Sequence, residues 1–496
     1  MTPHTLHKIG EEIRAKKSAY WERLRKRKAL SLFSRASADV PAYAAFLKKN
    51  KIDPDTIRHF EDFETLPITN KEIYLRKFPL QKLCHGGTLA KSIVYAATSG
   101  STGKPFYFPH EHDLEAQYSV LAEMYLRNIG ADTRSTLIII GFGMGVWIGG
   151  VLTYEAFNIA SRRSAPVSIL TPGINRAEIF HALRDLAPQY EQTVLIGYPP
   201  FVKDIIDDAP EEGIMLSKLN MRLLFAAESF TEDFRDHLMR GCGITDPCNH
   251  TLNIYGTADF GAMAFETPTS ILIRRLLSEN ESRYQEIFGS EARVATLAQY
   301  NPHFACFESH NGEILLTGDS TVPLLRYAIG DRGGVFSFAE MERALSALGI
   351  DLRKEARMHH VRITELPFVF VFERVDFAVK LYGAMIYPAH IKNGFSRGST
   401  NKLCSGRFTM QTKHDARHNQ YLEINVELRP GVKKNAALTK QLTADIVSKL
   451  IEQNAEYRSS HQAVGKRAVP KLVFWPYQDP KYFARNVKQK WVIKGS

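Results

Sequence analysis

The densest chemistry in the sequence lies at Thr98, Ser99, Gly100, Ser101, Thr102, Gly103 and Lys104, between the β-prone flanks YAA (95–97) and FYF (106–108). Glycines at 100 and 103 let a backbone approach a ligand closely and take positive φ. The four hydroxyls offer donors and Lys104 offers a cation, a set that cradles phosphate oxygens. The Walker A spacing G-x-x-x-x-G-K-[ST] is absent, so this is a phosphate loop of another kind. The plain alternative is a flexible Ser/Gly turn.

Other constellations have the residue types without the spacing. His110 and His112 in HEHD (110–113) lack a cysteine or further histidine nearby, which predicts a surface helix start. Cys242, Cys248 and His250 form C-x5-C-x-H, which is not a zinc spacing. GFGMGVWIGG (141–150) lacks the G-x-G-x-x-G fingerprint with its ribose acid.

The elements that must position the loop read as α/β. LIII (137–140), TVLIG (193–197), LLFAA (223–227), TLNIY (251–255), EILLT (313–317) and FVFVF (368–372) are short apolar runs that predict buried strands. Helix-like stretches at 111–128 and 176–187 fall between them, and the first 45 residues read as helical from Ile13 through Arg35. After about residue 375 the texture changes. RFTMQTKH (407–414) and YLEINVEL (421–428) predict an antiparallel hairpin, and KLVFW (471–475) a last short strand. Leu438, Leu442, Ile446 and Leu450 mark an amphipathic helix.

A chain of 496 residues has room for two or three domains. The most apolar stretch, 137–152, carries five glycines and is too short to span a bilayer, so no integral membrane association is expected. MTPHTLHKIGEEIRAKK lacks a signal peptide's apolar core, and five scattered cysteines make no disulfide framework. A cytoplasmic location is expected. The net charge of +11 is unevenly spread: residues 376–496 hold 21 Lys+Arg against 8 Asp+Glu, and the rest hold 43 against 45. A basic C-terminal quarter suits a nucleic-acid binder, and equally a small lid closing on a polyanionic small molecule.

TSGSTGKP resembles the phosphate-loop signature of adenylate-forming enzymes, the superfamily of acyl-CoA synthetases, peptide-synthetase adenylation domains and luciferases. Four further segments occur in the order that superfamily requires: AAES (226–229), YGTAD (255–259), RYAIGD (326–331) and ERVDFAVKLYGAMIYP (373–388). The resemblance is closest to the phenylacetate–CoA ligase branch, through SRASADVPAYAAFLKKNKID (34–53), FEDFETLPITNKEIYLRKFP (60–79) and WPYQDPKYFARNVKQKWV (475–492). It covers the chain from roughly residue 30 onward.

The resemblance implies a site. The family's first reaction is attack of a carboxylate on the α-phosphorus of ATP, so two anions must meet and the protein must supply cations and oriented donors. Thr98 to Lys104 would hold the departing pyrophosphate. Ala227, Glu228 and Ser229 would lie along the adenine, Tyr255 and Gly256 would cover it, and Asp331 would accept from the ribose hydroxyls. Arg374 would reach the ribose or α-phosphate. Asp259, with Thr257 nearby, would hold Mg²⁺. Lys488, with Lys490 as runner-up, would reach in from the C-terminal tail; Lys494 reads as solvated. Taken alone, Asp331 also suits a turn, Tyr255 a core tyrosine and Arg374 a surface arginine.

The implied fold is α/β, with a large multi-sheet N-terminal adenylating region (1–375) and a small mobile α+β C-terminal lid domain (376–496) hinged at Asp376. The implied function is activation of a small-molecule carboxylic acid, aryl or aryl-acetic in type, to an acyl-adenylate, followed by transfer to CoA. A non-CoA acceptor (amine, hydroxyl or protein) or transfer of AMP itself stays open. ATP, Mg²⁺ and CoA are the implied cofactors, nucleic acid is not an implied partner, and the oligomeric state is left open. Three departures stand out: Asp259 replaces the usual glutamate, Ala328 stands where many relatives place arginine, and the interval 332–373 is long.

Overall fold

The computed structural model describes residues 2–90, 94–97, 106–145, 148–163, 167–289, 294–372, 378–392, 395, 403–483 and 491–493. Two helices, Pro3–Ala15 and Ser18–Asp39, open the chain. The single helical stretch expected from Ile13 to Arg35 breaks at Lys16 and Lys17 for a tertiary reason. The Glu365 carboxylate accepts from the Ser18 N–H and from Lys17 Nζ, both at 3.0 Å, and so caps the second helix.

Val94–Ala97 (β1) and Tyr107–His110 (β2) pair antiparallel on either side of the phosphate-loop sequence. The main sheet takes β3 (Thr136–Gly141), β4 (Val167–Leu170), β5 (Gln192–Gly197) and β6 (Met221–Ala226). It continues through β7 (Thr251–Thr257), β8 (Gly261–Phe265), β9 (Ala295–Gln299) and β10 (Ala305–His310). β11 (Glu313–Gly318), β12 (Leu324–Phe336) and β13 (Phe368–Phe372) complete it. Among the described residues its order is β10-β11-β12-β13-β9-β8-β7-β6-β5-β3-β4. Strands β4, β3, β5, β6 and β7 run parallel, and the others antiparallel.

Ile138–Ile140, Val194–Ile196 and Leu223–Phe225 are buried on both faces, as parallel strands between layers require. That is why these strands read as unbroken apolar runs. Open α/β sheets bind ligands beyond the carboxyl ends of their parallel strands. Those ends here carry Phe142 and Gly143, Tyr198, Ala227 to Ser229, and Ala258 and Asp259. The long interval 332–373 holds the end of β12, helices Phe338–Ala347 and Leu352–Met358, and β13. Phe338, Met341, Leu345 and Leu352 cluster with Phe368, Phe370 and Phe372 and with Ile271, Leu277 and Phe288, so this segment builds a core together with the helices before β9.

Toward the C-terminus, β14 (Val379–Leu381) and β15 (Ala384–Ile386) make a tight hairpin. β16 (Cys404–His414) and β17 (Gln420–Leu428) form the expected antiparallel pair, and β18 (Lys471–Trp475) joins β17 in parallel. Helix Ala436–Gln453 buries Leu438, Leu442, Ile446 and Leu450, as their spacing predicts. A further helix, Ala455–Val464, buries only Tyr457 and Val464 and is not legible from periodicity. One apolar cluster runs continuously from Phe225, Phe230 and Phe234 to Leu381, Ile424 and Leu442, joining the main sheet's layer to the C-terminal sheet. Among the described residues no helix is long and apolar enough to cross a membrane.

Candidate functional site

A cavity of about 310 Å³ lies at the carboxyl ends of β3, β5, β6 and β7. It brings together Ala227, Gly256, Thr257 and Asp259 from the residues expected at an ATP site. Tyr118, Phe142, Leu152 and Tyr198 form an apolar and aromatic wall, in which the Tyr118 hydroxyl lies 3.1 Å from Thr153 Oγ1. Phe142 and Tyr198 follow the carboxyl ends of β3 and β5. Met144 is exposed, and Trp147 lies outside the described residues.

Asp259 is 7% exposed and its carboxylate is doubly engaged. Oδ2 accepts from the Tyr327 hydroxyl at 2.7 Å, and Oδ1 lies 3.5 Å from Lys71 Nζ. Lys71 is a cavity residue to which sequence reasoning assigned no role, although LPITNK was part of the resemblance. Its placement comes from Thr69, two residues before it. Thr69 N–H donates to Arg326 O at 3.0 Å, Ala328 N–H donates to Thr69 O at 2.8 Å, and Thr69 Oγ1 donates to Leu325 O at 2.8 Å. The segment before Lys71 is thereby stitched to β12, whose Tyr327 reaches the same carboxylate.

His110 departs from expectation. Only His112 stands at the exposed start of helix His112–Asn128; His110 is buried at the end of β2. Burial pushes its imidazole down to about 4, so the ring is neutral at physiological pH and Nε2 faces Ala258 O at 3.3 Å, in contact with the turn that leads to Asp259.

Asp331 sits in β12 where its pairing passes from β11 to β13, and it is 7% exposed. The Tyr255 hydroxyl donates to Asp331 Oδ2 at 2.5 Å. Tyr255 packs beside Phe307 and gives Asp331 a fixed direction. Ser229 Oγ lies 2.9 Å from Thr296 Oγ1.

The β14–β15 hairpin brings the C-terminal sheet to the cavity. Its tip, Tyr382 and Gly383, has φ of 49° and 81°, the paired left-handed conformation of a type I′ turn. A Cβ on Gly383 would stand 3.0 Å from the Tyr198 ring, so both backbone and space call for glycine. Glu228 turns toward this tip: Oε1 accepts from Gly383 N–H at 2.7 Å and Oε2 from Gln420 Nε2 at 2.8 Å. Ala227, at φ 77°, presents its carbonyl to Lys380 Nζ at 2.5 Å. Arg467 adds ion pairs to Asp204 at 3.2 Å and Asp208 at 2.8 Å. The loop after β6 therefore holds the hairpin through Glu228 and faces the cavity through Ala227.

Thr98, Ser99, Gly100, Ser101, Thr102, Gly103, Lys104, Arg374, Asp376, Lys488, Lys490 and Lys494 lie outside the described residues. Residues 491–493 are described and tied to β16, with Met410 N–H donating to Trp491 O at 2.8 Å and Ile493 N–H to Met410 O at 3.0 Å.

No family profile and no curated protein sequence matches the chain. Solved structures do. A 2-hydroxyisobutyryl-CoA ligase, solved with 2-HIB-AMP and CoA in the thioesterification state, aligns over 97% of this chain and 90% of its own, at 15% identity and a TM-score of 0.63. The chain has the fold of that ligase. The α/β fold class expected from the sequence is thereby borne out, with a large sheet-bearing region and a smaller C-terminal sheet. The same ligase in the postadenylation state with R3-HIB-AMP gives 14% identity, 94% and 88% coverage and a TM-score of 0.52. Its open conformation with 2-HIB-AMP and CoA gives 15% identity, 96% and 91% coverage and a TM-score of 0.51.

Proposed function

We propose that the chain activates a carboxylic acid with ATP, releasing pyrophosphate, and passes the acyl group from the adenylate to CoA. The observation that carries this reading is the single cavity shared by Ala227, Gly256, Thr257 and Asp259, the aromatic wall and the Tyr382–Gly383 tip. In this reading residues 1–375 are the adenylation domain and 376–496 the lid. The carboxylate oxygen attacks the α-phosphorus while the Thr98–Lys104 loop takes the leaving pyrophosphate, and Asp331 accepts from ribose hydroxyls. Asp259, beside Thr257, is the carboxylate that would hold Mg²⁺ together with substrate phosphates; the ion supplies charge neutralisation there. Lys71 offers a cation against the same phosphates.

The apolar wall of Tyr118, Phe142, Leu152, Ile174 and Tyr198 suits an aryl or aryl-acetic acid. The higher score against the thioesterification state supports reading the docked hairpin as the arrangement for acyl transfer. Acid-dependent ATP–pyrophosphate exchange across aryl and aliphatic acids is the test, followed by mass spectrometry of products with CoA. Exchange and an acyl-CoA are expected. Absence of exchange with every acid would refute the reading, and AMP release with CoA unmodified would replace CoA by another acceptor.

Tyr255→Phe removes a hydrogen bond to the Asp331 carboxylate without removing the ring. Such a bond is worth about 1.5 kcal/mol or more, so KM for ATP is expected to rise roughly tenfold with kcat changed less. Steady-state kinetics at varied ATP checks this, and an unchanged KM would show that Asp331 needs no such support.

A further inference from the structure

Glu456 lines the same cavity, and no step above uses it. It stands in the first turn of helix Ala455–Val464, with Ser459 and Ser460 one turn on and also lining the cavity. That helix is fixed to the hairpin on both sides. Asn454 caps it by accepting from Tyr457 N–H at 2.9 Å and donates to Met385 O at 2.8 Å. Ser460 Oγ donates to Tyr382 O at 3.0 Å. Glu456 Oε2 accepts from Met385 N–H at 3.0 Å, while Oε1 has no hydrogen-bond partner among the described residues. The carboxyl is therefore held by one oxygen, with the other left for a ligand.

The groups around it are Lys380 on β14, Tyr382 at the tip, Tyr387 after β15 and Tyr198 after β5, the last of which Glu228 after β6 also faces. Lys380 favours the charged form, but its Nζ donates to Ala227 O and makes no ion pair with Glu456 among the described residues. Burial dominates and pushes the carboxyl up to about 7. A carboxyl so placed exchanges protons at neutral pH.

We infer that Glu456 is the general base that takes the acceptor's proton during acyl transfer, a role that rests on the function proposed above. A CoA thiol has an ordinary pKa near ~8.5 and arrives mostly protonated. The S–H bond breaks and its proton goes to Oε1 of Glu456. The sulfur electron pair bonds to the acyl carbon, the bond from that carbon to the phosphate oxygen breaks, and AMP leaves with that pair. Glu456 then returns its proton to solvent. The hairpin and its helix thus bring a proton acceptor with them when they dock.

The competing role is purely structural, as an anchor for Met385 N–H. Glu456→Gln separates the two, because an amide oxygen still accepts from Met385 while the basic oxygen is gone. Single-turnover transfer from enzyme-bound acyl-adenylate to CoA is measured against ATP–pyrophosphate exchange, for wild type, Glu456→Gln and Glu456→Ala, across the neutral pH range. The expected result is a transfer-to-exchange ratio lowered about 10²-fold in Glu456→Gln. The wild-type rise of transfer with pH, centred near about 7, should vanish with it. The inference is overturned if Glu456→Gln keeps both the ratio and the pH dependence while Glu456→Ala loses them, or if exchange and transfer fall together. Wild-type protein that supports no exchange with any acid would refute the proposed function itself, and this role with it.

Discussion

Lys488→Ala is expected to slow adenylation by roughly 10²–10³, about 3–4 kcal/mol, while transfer from a preformed acyl-adenylate is largely spared. The reason is charge. In the proposed reaction two anions meet at the α-phosphorus, and each described cation of the cavity wall lies beside a carboxylate that offsets part of its charge, Lys71 beside Asp259 and Arg76 beside Glu72 at 3.1 Å. An additional cation must come from elsewhere, and the basic C-terminal tail is the source that the resemblance assigns. Trp491 to Ile493 are bonded to β16, and Lys488 and Lys490 precede them in the sequence. On the proposed reading of 376–496 as a lid, a lysine carried by it would serve one half-reaction and be withdrawn in the other. Exchange and single-turnover transfer are measured on Lys488→Ala and Lys490→Ala. Loss confined to Lys490→Ala would move the role two residues along, and equal loss in both half-reactions would remove it from adenylation.

What was legible in the sequence was what local chemistry dictates. Ile138 to Ile140 and Leu223 to Phe225 are buried on both faces, so each wrote itself as an apolar run. Leu438, Leu442, Ile446 and Leu450 recur at helical spacing because one face is buried. Ala227, Gly256, Thr257 and Asp259 were found because their segments carry a recognisable order, and the fold brings them to one cavity. Lys71 was hidden because its position depends on Thr69 meeting Leu325, 256 residues away. Glu456 was hidden because its helix follows a longer one and buries too few residues to show a period. The break at Lys16 and Lys17 was hidden because its cause, Glu365, comes from the far end of the main sheet region. Ala328, a departure from the motif, donates its N–H to Thr69 O, a backbone contact that does not depend on its side chain.

Arg235→Ala is expected to cost about 3–5 kcal/mol of stability, the largest loss foreseen for a residue that does not line the cavity. Arg235 and Glu266 are both fully buried, and Arg235 donates to Glu232 Oε2 at 2.9 Å and to Glu266 Oε1 at 2.8 Å. Arg274 also bonds Glu232, and Phe230 lies under the Arg235 guanidinium at 5.0 Å. The network supports the site. Glu266 Oε2 accepts from Asn253 N–H at 2.9 Å, and Asn253 Nδ2 donates to Glu228 O at 3.1 Å, so the loop behind Ala227 rests on it. Removing Arg235 leaves Glu266 with Arg274 alone and Glu232 with Arg274 and Arg275, so two buried carboxylates lose a cation they share.

The pH dependence follows from Glu232. Burial raises its pKa, but Arg235 and Arg274 outweigh burial and hold it down at about 2, against an ordinary 4.5. A lowered carboxylate pKa gives stability that is fully present above the ordinary value and is lost as pH falls toward the lowered one. The variant has less of this to lose, because Glu232 keeps Arg274 and Arg275 but no longer has Arg235. The gap between wild type and Arg235→Ala should therefore be widest near neutrality and narrow as pH falls below about 4.5. Urea unfolding at neutral and acidic pH measures it. An unchanged midpoint at neutral pH, or a gap that widens with acid, would show that these buried charges do not hold the loop.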